Sequence, residues 1–326
     1  MKRQQKNYQN NMRGTFVKTL MGMMGRDARI LVVTADMGYG TFEELRNKFP
    51  ERFINTGVSE ANAAGVCAGL ALSGYTVFFY AQAEFVTLRC FEQVRLDIAS
   101  NNLNVKLVGT SSGYTLSQYG ISHFALEDVA IMRSLPNMTI LCPGDLYEAE
   151  EATKLACSFR GPAYIRIGRS NSAKDVCIHQ KAPKMRVGEP VVVVEGNGPV
   201  VVSTGSMLCV AKETVELLWK DGVKAKLVSL PTVKPLNAKK VLNLFKHSNA
   251  AYVLEEHSMI GGLGTAIAEI VADAGLPYKV IRLGTKDNAV HTTGSRDYLL
   301  SLSGLSPKVI ANKIMKDIQK NEHRRV

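Results

Sequence analysis

Short apolar runs alternate along this chain with longer segments whose apolar positions recur at helical spacing. Ala28–Thr34, Tyr75–Tyr80, Asn104–Gly109, Met138–Cys142 and Ala163–Ile167 are runs of the first kind. Their apolar residues are nearly continuous, the pattern of parallel strands covered on both faces. Helical periodicity falls between them, near Glu60–Ser73, Phe85–Ser100, Leu126–Leu135 and Leu146–Phe159. Asp145 stands where an N-cap of the last segment belongs. Such alternation predicts an α/β fold, a parallel sheet with helices on both faces.

The pattern then breaks. Arg169–Asp175 and His179–Arg186 are polar and have no sustained period, so residues 171–188 are expected to form a linker. Alternation resumes with strands expected at Pro199–Thr204, Lys224–Leu230, Ala250–Leu254 and Tyr278–Ile281. Helices are expected at Met207–Lys220, Ala238–Phe245, Gly264–Ala274 and Pro307–Gln319. The reading is two open, mostly parallel-sheet domains, residues 12–170 and 189–326, behind a basic, flexible tail of residues 1–11.

Composition adds exclusions. No apolar run approaches the roughly 20 residues that cross a bilayer. Met1–Lys6 is basic and lacks the apolar core of a signal peptide, so a cytoplasmic location is expected. Six cysteines are scattered without metal-binding spacing and are expected to be free thiols. The net charge of +11 has no nucleic-acid motif beside it and is assigned to tails and solvated helix faces.

One acid stands out. In Asn55-Thr56-Gly57-Val58-Ser59-Glu60-Ala61-Asn62-Ala63-Ala64-Gly65, Glu60 opens a helix of small residues, where a carboxylate is favoured by the helix dipole. On its own it reads equally as a helix-start charge or as a buried acid that manages a proton. Further along come Phe79–Arg95, then Ser122-His123-Phe124-Ala125-Leu126-Glu127-Asp128-Val129-Ala130-Ile131-Met132-Arg133, then Glu255-Glu256-His257-Ser258-Met259-Ile260-Gly261-Gly262-Leu263-Gly264. In this order the segments resemble the C-terminal half of the transketolase family of thiamine-diphosphate enzymes, a pyrimidine-binding domain followed by the transketolase C-terminal domain. The resemblance runs from about Met12 to Ile318.

The resemblance implies roles. Glu60 matches the carboxyl group that shares a proton with the pyrimidine nitrogen of thiamine diphosphate. Phe85 matches an aromatic that stacks on that ring. Gln82 replaces an aromatic of many relatives, which Tyr80 or Phe91 is a candidate to compensate. His123 matches a histidine facing substrate, and Asp36 an acid near the cofactor and the chain interface. Arg169 matches a phosphate-contacting arginine. For His257 and Gly261–Gly264, structural packing is expected.

Departures also count. Thr110–Gly120 lacks the second histidine and loop acids of sugar-phosphate transketolases, and Gly38-Tyr39-Gly40 lacks a phosphate-binding serine. The wording is similar to chains tied to unusual-sugar and surface-polysaccharide pathways. No Gly-Asp-Gly occurs, so the diphosphate and its Mg²⁺ or Ca²⁺ are assigned to a partner, the N-terminal subunit of a split enzyme. A two-plus-two assembly acting on small sugars is expected, without nucleic acid or membrane. The alternatives are the β subunit of a 2-oxo-acid dehydrogenase or a deoxyxylulose-phosphate-synthase-like enzyme, and a non-catalytic assembly module.

Overall fold

The computed structural model describes residues 11–168, 177–246, 248 and 250–323. Among them the strands are β1 (Ile30–Thr34), β2 (Phe53–Asn55), β3 (Thr76–Gln82), β4 (Val105–Thr110), β5 (Thr139–Leu141), β6 (Ala163–Ile167), β7 (Val191–Val194), β8 (Val200–Ser203), β9 (Lys226–Ser229), β10 (Thr232–Lys234), β11 (Ala250–Ser258) and β12 (Lys279–Thr285). They form a seven-stranded sheet, β10-β5-β6-β4-β3-β1-β2, and a five-stranded sheet, β12-β11-β8-β9-β7. All pairings are parallel except β10 with β5 and β7 with β9, both at sheet edges. The expected class, two mostly parallel α/β sheets, is the one the chain adopts.

The apolar runs are buried for the reason their pattern gives. Every residue of β1, β4 and β6 is buried. Helix Glu60–Leu72 covers one face of the first sheet, and its buried Ala63, Ala64, Cys67 and Ala68 have no long side chains to hold it off. On the other face, helix Met12–Met24 inserts Phe16, Leu20 and Met24 against Phe78 and Tyr80, beside helix Leu146–Ser158. The Met12–Met24 helix was not foreseen from the sequence pattern.

Two features correct that reading. Phe85–Ser100 is not one α-helix. Wide i→i+5 turns over Phe85–Arg89 and Val94–Ala99 flank a short α-helical stretch, Phe91–Gln93. Val86, Cys90, Val94 and Ile98 are all buried and lie four residues apart. An α-helix of 3.6 residues per turn rotates such a stripe steadily off the core. Mixing in wider turns brings the average repeat near four and keeps the stripe facing inward.

The second correction is β10. It follows β9 of the five-stranded sheet in the chain, yet it extends the seven-stranded sheet along β5. Lys234 Nζ donates to the backbone oxygens of Arg133, at 2.8 Å, and Leu135. One apolar cluster includes Val33, Phe79 and Leu107 of the first sheet with Val202, Val228 and Val253 of the second. The two halves therefore share a core.

Candidate functional site

The C-terminal ends of β1, β2, β3 and β4 gather the candidate residues, at the edge where parallel sheets bind ligands. Asp36 follows β1 in the left-handed region, at φ 53°. Its backbone N–H donates to Asn55 Oδ1 at 2.9 Å, and Asn55 Nδ2 returns a bond to Asp36 Oδ1 at 3.1 Å. Asp36 is exposed, and its role visible here is to lock the loop after β1 to the end of β2.

Glu60 is the first residue of helix Glu60–Leu72. Ser59, the N-cap, makes no side-chain bond to the helix and donates instead to Thr56 O at 2.9 Å. The helix start therefore has one buried carboxylate and no hydroxyl cap. Glu60 is only 6% exposed. Its Oε1 accepts a bond from Arg89 Nη1 at 3.2 Å.

Arg89 links Glu60 to the rest of the site. Its guanidinium lies over the Phe85 ring, 3.4 Å from the centroid, and stacks there as a cation on an aromatic face. Phe85 in turn meets His123 edge-on, with centroids 5.4 Å apart. The Tyr119 ring also packs on His123, with centroids 5.0 Å apart. His123 Nδ1 is 2.9 Å from Ser122 Oγ, so that nitrogen is held by its neighbour. Burial, and then the charge of Arg89, push the imidazole below its usual range.

The loop carrying His123 is fixed from beneath. Gly113 and Ala125 exchange two backbone bonds of 3.1 Å. Tyr114 N–H donates to Glu256 Oε1 at 2.8 Å, and its hydroxyl lies 3.2 Å from Ser303 Oγ. Gly113 has φ 64°, and a Cβ there would come within 2.5 Å of Glu256 Cδ. Only glycine meets both demands. Glu256 is clasped by Arg296 through Nε at 3.0 Å and accepts from Ser206 Oγ at 2.6 Å.

His257 is structural, as expected. It is buried, accepts from Ala130 N–H at Nε2 (3.2 Å) and donates from Nδ1 to Ser258 O (2.7 Å). Nearby, Asp128 accepts from Arg166 Nε at 2.7 Å and Tyr164 OH at 2.6 Å. Burial works to raise that carboxyl, but the charge of Arg166 and these bonds hold it below its ordinary value. Glu255 accepts from Leu263 and Gly264 N–H at the start of helix Leu263–Asp273, which accounts for the tight Gly261–Gly264 turn.

The structure thus brings Glu60, Phe85 and His123 together, and sets Asp36 on the adjoining loop. Arg169 lies outside the described residues. Tyr80 cannot replace a missing aromatic at the site, because it is fully buried against Phe16 and Phe42 on the far face of the sheet. Phe91 packs on the core. Gln82 leaves its Oε1 buried without a partner. Two residues escaped the sequence reading. Arg89, four positions after Phe85, was legible as a cation at helical spacing from an aromatic. Glu84 was legible as a charge interrupting an apolar stretch. The residue types suit a flat heteroaromatic ring, a carboxylate to meet a ring nitrogen and a phenyl face to stack on, with the Arg89 guanidinium now lying against both. Among the described residues no group of three or more His, Cys, Asp or Glu is placed to hold a metal ion.

Comparison with known proteins bears on this arrangement. The family model for the transketolase pyrimidine-binding domain matches residues 9–174, and that for the transketolase C-terminal domain matches residues 188–310. A chain of Methanocaldococcus jannaschii named for the C-terminal section of transketolase is 34% identical over 310 residues, 95% of this chain and 96% of its own. A 6-deoxy-6-sulfo-D-fructose transketolase subunit of a Clostridium species is 34% identical over 300 residues, 92% of both chains. A solved split-gene transketolase, described as an inactive β4 tetramer, superposes with a TM-score of 0.86 at 32% identity, over 94% of this chain and 98% of that one.

Proposed function

Because this chain belongs to the transketolase family, we propose that it is the C-terminal subunit of a split, thiamine-diphosphate-dependent transketolase that moves a two-carbon ketol unit from a ketose to an aldose. The observation that carries the reading is the convergence of Glu60, Phe85 and His123 at one strand edge. When bound, thiamine diphosphate supplies the carbon nucleophile. Glu60 holds the proton shared with the pyrimidine nitrogen, and Phe85 supports the ring. With its pKa lowered, His123 is neutral near pH 7 and has Nε2 available for a substrate hydroxyl or carbonyl oxygen. Asp36 keeps the loop after β1 in place beside the ring, close to the partner chain. Arg169 is assigned to an anionic group of the substrate. A sulfonated or phosphorylated sugar fits that assignment, as the name of the Clostridium relative also indicates.

The diphosphate and its Mg²⁺ or Ca²⁺ belong, on this reading, to an N-terminal partner subunit. Exposed apolar residues surround the candidate site in the chain: Tyr39, Val58, Leu88, Tyr119 and Ile121. Such a rim is expected where another chain closes a site. The test has two arms. Calorimetry with thiamine diphosphate and Mg²⁺ should show no submicromolar binding by this chain alone, and ketol transfer should emerge on adding the partner. Tight binding by the chain alone would overturn the split site. Decarboxylation of pyruvate in place of ketol transfer would move the assignment to the deoxyxylulose-phosphate-synthase type.

A further inference from the structure

Glu84 immediately precedes Phe85 and is 3% exposed, and neither carboxyl oxygen has a hydrogen-bond partner. A buried polar group left unsatisfied costs free energy, so its retention calls for a reason. Two charged groups act on it, Asp128 and Arg89. Asp128 is already committed to Arg166 and Tyr164. Arg89 is not: its one described hydrogen bond goes to Glu60, and its side chain is 48% exposed. Glu84 is the N-cap of the i→i+5 turn Phe85–Arg89, so residues 84 and 89 stand about one wide turn apart. One guanidinium thus serves two acids, paired with Glu60 and unpaired with Glu84.

That placement conflicts with a ring in the site. Arg89 covers one face of Phe85. It also occupies Glu60 Oε1 at 3.2 Å, an oxygen that a ring nitrogen would have to meet. A ring that stacks on that face and meets Glu60 therefore displaces Arg89 from both together. We propose that Glu84 is a positioning residue for the cofactor site, the second counter-ion that takes Arg89 when the ring engages Glu60. This rests on the assignment of Glu60 made above. The proton balances within the site: Glu84 gives one up as it meets the guanidinium, and one is taken into the bond between Glu60 and the ring nitrogen. Burial, reinforced by Asp128 and opposed by Arg89, pushes the Glu84 carboxyl up to about 8, so in the free chain the proton is present near neutral pH.

The experiment uses the two-chain complex and thiamine diphosphate with Mg²⁺. Titration calorimetry in buffers of different ionisation enthalpy reads the protons taken up on binding. Glu84→Gln cannot release a proton, so it should take up about one more proton per site from solution than the wild type near pH 7. Equal uptake by wild type and Glu84→Gln would overturn the proposal. Infrared difference spectra of the wild type give a second reading that needs no variant. The carbonyl stretch of a buried protonated carboxyl should be present in the free chain and lost when cofactor binds; its persistence in the bound complex would also overturn the proposal. The Glu60 assignment fails separately. If Glu60→Gln leaves cofactor proton exchange unchanged, Glu60 is not the acid, whatever Glu84 does.

Discussion

Glu60 is a helix-start carboxylate bonded to Arg89 and, as proposed, the acid of the cofactor site, and the two roles separate by experiment. Glu60→Gln keeps size and shape but cannot exchange a proton. In the reconstituted enzyme, exchange at the reactive cofactor carbon, followed by NMR, should fall about 10²–10⁴-fold, as for loss of a general acid or base. The melting temperature should move little, because a first-turn charge contributes below about 2 kcal/mol. Near-normal exchange in the variant would return Glu60 to a purely structural role. Glu84 gives a pH signature in the chain alone. Its carboxyl titrates near 4.5 when unfolded and is raised to about 8 by burial in the fold. The folded state therefore binds the proton more tightly, and the stability this gives is lost as pH rises from about 4.5 through 8. Glu84→Gln should not show that loss. Its melting temperature, relative to wild type, should rise across this window and level off above it; a constant difference would show that Glu84 does not titrate as described. At this scale the sequence was partly legible. Glu60, Phe85 and His123 lie in segments whose wording resembles a family. Arg89 and Glu84 depend on a wide helical turn, which apolar periodicity does not announce.

Legibility at the scale of elements followed burial. β1, β3, β4 and β6 were foreseen because strands covered on both faces need continuous apolar runs. β10, Thr232–Lys234, offers only one apolar residue and no run, and β7 is a half-exposed edge strand beside the polar linker. Asp145 shows the same contrast within one residue. Its N-cap role was legible: Oδ1 accepts from Glu148 N–H at 2.8 Å. Its second role was not, because it joins distant backbone. Oδ2 accepts from Ile178 N–H at 2.8 Å and His179 N–H at 3.0 Å, pinning the chain as it enters the second half. Asp145→Ala therefore removes a cap and two further acceptor contacts. We expect a loss of about 2 kcal/mol, the upper end for a cap, measured by denaturant unfolding of the isolated chain. Asp145→Asn, which keeps an acceptor at Oδ1, should lose less. Equal stability of wild type and the alanine variant would show that water replaces all three bonds.

For the molecule as a whole, the shared core and β10 tie the two halves together, and exposed apolar residues flank the segments of the candidate site. The apolar residues around it differ from the core in one respect: they are large and exposed, Tyr39 at 98% and Val58 at 73%. Tyr39 follows β1, Val58 lies two residues before Glu60, and Ile121 lies two before His123. On the proposed reading, a contact there brings the partner's diphosphate and metal site against Glu60 and Phe85. Closed two-fold symmetry is the common outcome for soluble assemblies, so the complete enzyme is expected to contain two copies of this chain and two of its partner. Sedimentation of the mixture should give that stoichiometry. Val58→Asp should weaken assembly and ketol transfer together, because it sets a charge in an apolar contact. It should leave the melt of the isolated chain within about 0.5 kcal/mol of wild type, as for exposed positions generally. The two measurements distinguish a contact surface from a folding defect. One-to-one complexes that turn over normally, or Val58→Asp complexes that assemble as tightly as wild type, would place the partner elsewhere on the molecule.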